Sequence, residues 1–259
     1  MFITIINDCQ DDNARARQLT RVSTLFKVPA NFVSVKNDLE AAGNIIDILD
    51  ASQKKTGAVL VNVAPRNGSA KHWKNGTPFA YFYYGKTLAL ASVDGLTLSL
   101  VKKLKLTKFV NILDLEKSVK LMEKKKKLST SEVGKIINTQ FRSFEFLPRA
   151  ASWLTQGYKL PFEKISIEKI SDAPNAIWWI DNFGNCKTTV LSAELAEIKL
   201  IKKLQKLPCY PRLKDLPDNK TGLIAGSSGI NNNRFVEIMT QGDSTAKKLK
   251  LKSGEVIAK

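Results

Sequence analysis

The pattern of apolar and polar positions divides the chain into two stretches with different grammar. Phe2–Ile6 is a short apolar run that ends in the polar turn Asn7-Asp8-Cys9-Gln10-Asp11-Asp12. Across residues 13–26, Ala16, Leu19, Val22 and Leu25 recur at helical spacing. Phe32–Val35 predicts a second strand. From Asp38 to Leu49 a helix is expected, with Leu39, Ala42, Ile45, Ile46 and Leu49 on one face. Ala58–Val63, apolar apart from Asn62, predicts a third strand. Strands and helices in this alternation, with buried strands, argue for a parallel sheet covered on both faces. Phe79–Tyr84 and Thr87–Ser92 read as an antiparallel pair around Gly85, and helical stretches over 96–104, 129–138 and 147–154 close a first domain.

Near residues 157–162 the grammar changes. Ile165–Ile170, Ala176–Ile180, Cys186–Val190, Leu223–Ala225 and Arg234–Met239 are short strands separated by turns, an all-β signature. The expected domains are therefore 1–157 and 158–259.

Composition narrows the classes. With 43% hydrophobic and 8% aromatic residues in 259, the chain can bury a sizeable core. No run approaches the length of a transmembrane helix. The N-terminus lacks the basic region of a secretory signal and meets an acidic cluster at once, and the cysteine usage fits a reducing cytoplasm, where the protein is expected. Cys9, Cys186 and Cys209 are odd in number and lack CxxC spacing, which argues against a disulfide framework or a metal site. His72 is the sole histidine, so no multi-His metal site and no metal cofactor are expected.

The net charge of +17 raises nucleic acid as a partner. Of the 41 basic residues, however, 33 are Lys and 8 Arg, whereas bidentate phosphate and base recognition favours Arg. The densest run, Glu123–Lys127, ends a helical pattern and reads first as a solvated face.

One string stands out: Trp179-Ile-Asp181-Asn-Phe183-Gly184-Asn185-Cys-Lys-Thr-Thr189. A strand entering Asp-Asn-Phe-Gly-Asn is a tight turn that offers a carboxylate, an aromatic face and an amide. The string resembles the D-x-F-G-N segment of the S-adenosyl-L-methionine (SAM) hydroxide adenosyltransferases and the SAM-dependent fluorinases and chlorinases. Three further segments resemble that family in the same order. They are the opening strand with its acidic turn, Leu39-Glu-Ala-Ala42, and a C-terminal Asn231-Asn232-Asn233-Arg234-Phe235 followed by Gln241-Gly-Asp-Ser244-Thr-Ala246.

The resemblance implies a Rossmann-like α/β domain followed by a β-barrel. It also implies a homotrimer, with SAM held between one subunit's N-terminal domain and its neighbour's barrel. Asp8 would grip the ribose hydroxyls. Asp181, Phe183 and Asn185 would hold the amino acid end of SAM, Asn231 and Asn232 would meet the methionine carboxylate and adenine, and Asn67 is a further SAM-binding candidate. Trp73, Tyr81 and Tyr83 are candidates for packing against adenine, beside the bland reading of strand aromatics as core.

The sequence departs from the family where its chemistry is done. Hydrolytic members orient water with an Asp from V-D-P-G-V-G-T, a following Arg, and a His from F-H-G-R-D. Here the loop is Val63-Ala64-Pro65-Arg66-Asn67-Gly68-Ser69-Ala70-Lys71-His72, with Ala64 at the Asp and Lys71 at the Arg. In Gln140-Phe141-Arg142-Ser143-Phe144-Glu145, the His is replaced by Arg142 or Phe141. Three accounts stay open. In a rewired hydrolase, His72 is the base, with Lys71 and Ser143 as further catalytic candidates. In a halogenase, Phe141-x-Ser143-x-Glu145 resembles the F-x-S-x-E of those enzymes, and Asn67 falls near their halide-binding position. In a binding protein, SAM or adenosine is held without turnover. RNA binding through Lys-rich surface is a weaker alternative.

Overall fold

The structure is a computed structural model that describes residues 1–63 and 76–258. His72, Lys71, Asn67 and Trp73 fall outside the described residues. The chain divides into two compact units, Met1–Ser171 and Asp172–Lys259.

The first unit begins with β1 (Phe2–Asn7), α1 (Asp12–Phe26), β2 (Asn31–Ser34), α2 (Asp38–Ser52) and β3 (Gly57–Asn62). Local chemistry sets these limits. The Asp11 carboxylate accepts from Ala14 N at 2.9 Å and so caps α1, and Lys27 in left-handed backbone ends it. Asn37 caps α2 through Glu40 N at 2.9 Å, while the Glu40 side chain reaches back to Lys36 N at 2.7 Å. Ile45, Ile46 and Leu49 of α2 are fully buried, each stabilising the fold by about 1.5–3 kcal/mol relative to exposure.

The hairpin β4 (Phe79–Tyr84) and β5 (Thr87–Ser92) follows, then α3 (Ser99–Lys103), β6 (Phe109–Leu113), and helices α4 (Leu115–Lys124), α5 (Thr130–Asn138), α6 (Arg142–Glu145) and α7 (Leu147–Thr155). The unit's last strand is β7 (Phe162–Ser166). Seven strands form one sheet in the order β2-β1-β3-β5-β4-β6-β7. β2, β1, β3 and β5 are mutually parallel. β4 runs antiparallel to both β5 and β6, and β7 runs antiparallel to β6, so the sheet is mixed and not wholly parallel.

The division between units follows Ser171 and not residue 157, because β7 pairs with β6 across five residues, Phe109↔Ser166 to Leu113↔Phe162. Pairing thus adds to the α/β unit a strand that its short, turn-bounded pattern assigned to the second.

The second unit holds β8 (Ile177–Ile180), β9 (Cys186–Leu191), β10 (Cys209–Tyr210), β11 (Thr221–Ile230), β12 (Asn233–Thr240) and the short α8 (Thr245–Lys248). These strands form a five-stranded sheet, β10-β11-β12-β9-β8. Its core gathers Ile177, Cys186, Val190, Val236 and Ile238. Among the described residues no helix is long and apolar enough to cross a membrane. Lys124–Lys127 are all exposed at the end of α4.

Candidate functional site

The parallel strands put chemistry on one edge of the first sheet. The chain passes from β1 to β2 on one side and returns past β1 to β3 on the other, which creates a switch point at the carboxyl ends of β1 and β3. Crevices of this kind are where open α/β sheets bind their ligands. Asp8 stands there, buried, immediately after β1. Its N–H donates to Asn62 O at the end of β3 (3.3 Å).

The turn is built by Asn7. The Asn7 side chain accepts from Cys9 N at 2.9 Å and donates to Gln18 Oε1 of α1 at 3.0 Å. Asn7 and Gln18 are both buried, so the segment carrying Asp8 is pinned to strand and helix together. Gln10 Nε2 then donates to Val35 O at 2.7 Å, closing the loop over the end of β2. At the start of α2, Asp38 accepts from Leu96 N at 2.7 Å and ties that helix to the segment after β5. Leu39, Glu40, Ala41 and Ala42 are buried behind this edge.

Of the aromatic candidates, Tyr81 is buried in β4 with its ring edge-on to Tyr83 and Phe162 at 6.1 and 5.8 Å, a core arrangement. Tyr83 is half exposed on the same strand. Ser143 lies in the four-residue α6.

In the second unit, the Asp181–Asn185 turn joins β8 to β9. Asp181 Oδ1 accepts from Phe183 N and Asn185 N, each at 2.9 Å, and Oδ2 accepts from Asn185 Nδ2 at 3.0 Å. The carboxylate therefore organises its own loop and pushes Phe183 out, 71% exposed. Gly184 adopts φ +85°, and a Cβ there would lie 2.0 Å from Ser244 Oγ. The Gly184 carbonyl accepts from Ala246 N at 2.9 Å. Two strings read separately in the sequence, 181–185 and 241–246, thus meet in space. Cys186, next in the chain, is fully buried, and burial pushes its thiol up to about 12, helped by the nearby Asp181 and Glu255 charges. It is an inert core residue.

Asn231 and Asn232 are not part of this cluster. They form the exposed hairpin turn between β11 and β12. β12 runs away from them, so Phe235 pairs with Leu191 and Ile238 with Cys186. The Asp181 turn lies at the other end of β12 from the asparagine hairpin. Among the described residues no group of three or more His, Cys, Asp or Glu is placed to hold a metal ion.

No family model matches this chain, and no curated protein does either. Solved structures similar to it in fold include the following two. One is an uncharacterized conserved protein from Thermotoga maritima, 14% identical, with 99% of each chain covered and a TM-score of 0.68. Another is a conserved hypothetical protein from Thermus thermophilus, also 14% identical, covering 99% of this chain and 97% of that one at a TM-score of 0.59. At that identity the likeness is one of fold.

A residue that sequence reading passes over is Arg142. There it stands only as a substitute for a missing histidine, while the structure makes its guanidinium part of a cavity wall. The available signal was the scarcity of Arg in a Lys-rich chain, since Arg142 and Arg149 fall within one short segment.

Proposed function

We propose that this protein binds SAM and cleaves it with water at C5′ of the adenosyl group, giving adenosine and L-methionine. The observation that carries the reading is Asp8, a buried carboxylate held at the switch point between β1 and β3. A carboxylate at the end of a parallel strand suits the paired hydroxyls of a ribose, which donate to it. The order of the family-like segments along the sequence supplies the choice of SAM among nucleosides.

In this reading the five-stranded sheet corresponds to the family's closed barrel, and three copies assemble so that each ligand meets Asp8 of one subunit and the Asp181 turn of another. Asp181 already receives three donors from its own turn. A carboxylate offers about four acceptor positions, so capacity remains for the ammonium of the methionine moiety. Asn185 is fixed by the same turn, and Phe183 presents its ring outward.

The reaction forms a C5′–O bond as the C5′–S bond breaks, and methionine leaves with the electron pair that neutralises the sulfonium. The water proton passes to a base. His72 is the one imidazole in the chain and is suited to that role near neutral pH. Lys71 and Ser143 are the further catalytic candidates of the sequence, and Asn67 a further SAM-binding candidate. A second reading, binding without turnover, is favoured by Ala64 at the position of the hydrolytic Asp.

Purified protein incubated with SAM and followed by chromatography tests the reaction. Adenosine and methionine appearing in equal amounts, with both lost in His72→Ala, is the expected result. Intact SAM after many hours, despite binding, leaves the second reading standing and removes the hydrolase.

A further inference from the structure

The same edge of the first sheet carries a cavity of about 540 Å³, beyond the switch point, where β4 begins and β6 ends. Its walls are apolar: Pro78, Phe79, Leu113, Leu115, Ile137 and Phe146. Phe79 and Phe146 form an aromatic pair with centroids 6.5 Å apart.

Three polar features break this lining. Arg142 reaches in from α6, and its Nη1 donates to Gly76 O at 3.1 Å. Among the described residues it forms no ion pair, and burial lowers its pKa, with the Glu116 charge acting in the opposite sense. Thr77 Oγ1 also lines the wall, shielded from solvent and without a hydrogen-bond partner among the described residues. The start of α4 faces the cavity at Leu115 and Glu116, where first-turn N–H groups carry the positive end of the helix.

Such an arrangement leaves a guanidinium with spare donors against an apolar wall, a state that a bound anion would stabilise. The rim fixes how much charge it wants. Lys117 is consumed by Asp114 at 2.9 Å. Lys120 and Glu116, both on the rim, carry opposite charges, so a single net positive charge remains.

We infer that this cavity is a binding site for a small amphiphilic monoanion, an aromatic carboxylate, whose ring lies against the wall formed by Phe79, Phe146 and Ile137 while its carboxylate meets Arg142 and Thr77. A carboxylate matches the planar fork of Arg in two parallel hydrogen bonds. A phosphate dianion exceeds the charge on offer. The site is two strands away from β3 and does not depend on SAM binding at Asp8.

The test uses 2-naphthoate and its neutral isostere 2-naphthamide, titrated calorimetrically into the whole chain. The acid is expected to bind at least tenfold more tightly than the amide. Arg142→Met should reduce acid affinity tenfold or more while leaving the amide within about twofold. Ile137→Trp, which fills the apolar end and keeps Arg142, should weaken both ligands, and Asp8→Asn should change neither. Equal affinity for acid and amide, or acid binding unaffected by Arg142→Met in a variant that melts like wild type, overturns the proposal. Loss of 2-naphthoate binding in Asp8→Asn, with Arg142 intact, also overturns it, because the ligand then occupies the switch-point site.

Discussion

The two ends of α6 carry opposite charges in opposite circumstances. At its last residue, the Glu145 carboxylate is buried and met by three cations: Arg21 of α1 at 3.1 Å, Arg149 of α7 at 2.9 Å and Lys135 of α5 at 3.2 Å. Arg21 is held in turn over the Phe144 ring, 4.2 Å from its centroid, with Arg17 also placed against that ring at 4.7 Å. At the first residue, Arg142 has a carbonyl for a partner and no carboxylate among the described residues. Three positions apart, one charge is fully compensated and ties four helices together, while the other is left over. A compensated buried charge reads as architecture. An uncompensated one at a cavity wall reads as a place where something binds.

The largest effect expected from breaking this contrast is on the Glu145 side. Glu145→Gln leaves Arg21 and Arg149 facing each other with little exposure, at 21% and 15% of their side chains. Losing one partner of a buried network costs about 3 kcal/mol, measurable as a lower urea midpoint at pH 7.

A smaller effect follows from protonation. Burial pushes the Glu145 carboxyl up, but the Lys135 hydrogen bond and the Arg21 and Arg149 charges outweigh it and hold the group below its ordinary value of 4.5. A carboxyl depressed in the folded state contributes stability that is complete above its unfolded value and is lost as pH falls through the folded one. Urea unfolding followed downward from pH 6 should therefore show a loss beginning below about 4.5. Asp114 and Glu132 are also held low and share that limb, so the part absent from Glu145→Gln is the share of Glu145.

The smallest effect belongs to the other end. Arg142→Met removes one hydrogen bond to a carbonyl and a partly desolvated charge, two changes of opposite sign. Its unfolding free energy should lie within about 1 kcal/mol of wild type. A loss as large as that of Glu145→Gln would make Arg142 architectural as well and dissolve the contrast.

How far the sequence foretold these features depends on how local their causes are. β1, α1, α2, β3 and the β4–β5 hairpin follow from periodicity and caps that lie within a few residues, such as Asp11 and Asn37. The Asp181 turn was legible for the same reason, since every donor to its carboxylate comes from residues 183 and 185. What depends on distant pairing was not. β6, in Lys108-Phe-Val-Asn-Ile-Leu, is too short to be told from a helix fragment until β4 and β7 pair with it on either side. With β6 unplaced, α4 beside it and the cavity between them had no location. The separation of Asn231 and Asn232 from Asp181 is likewise a consequence of strand register, which a list of motifs does not encode.

The central claim, that Asp8 marks a SAM site, is tested most directly by titrating SAM into wild-type protein and into Asp8→Asn by calorimetry. Binding by wild type, with at least a tenfold loss in Asp8→Asn and an unchanged melting temperature, is what the account predicts. No binding of SAM by a folded wild-type protein, or equal binding by both, would contradict it.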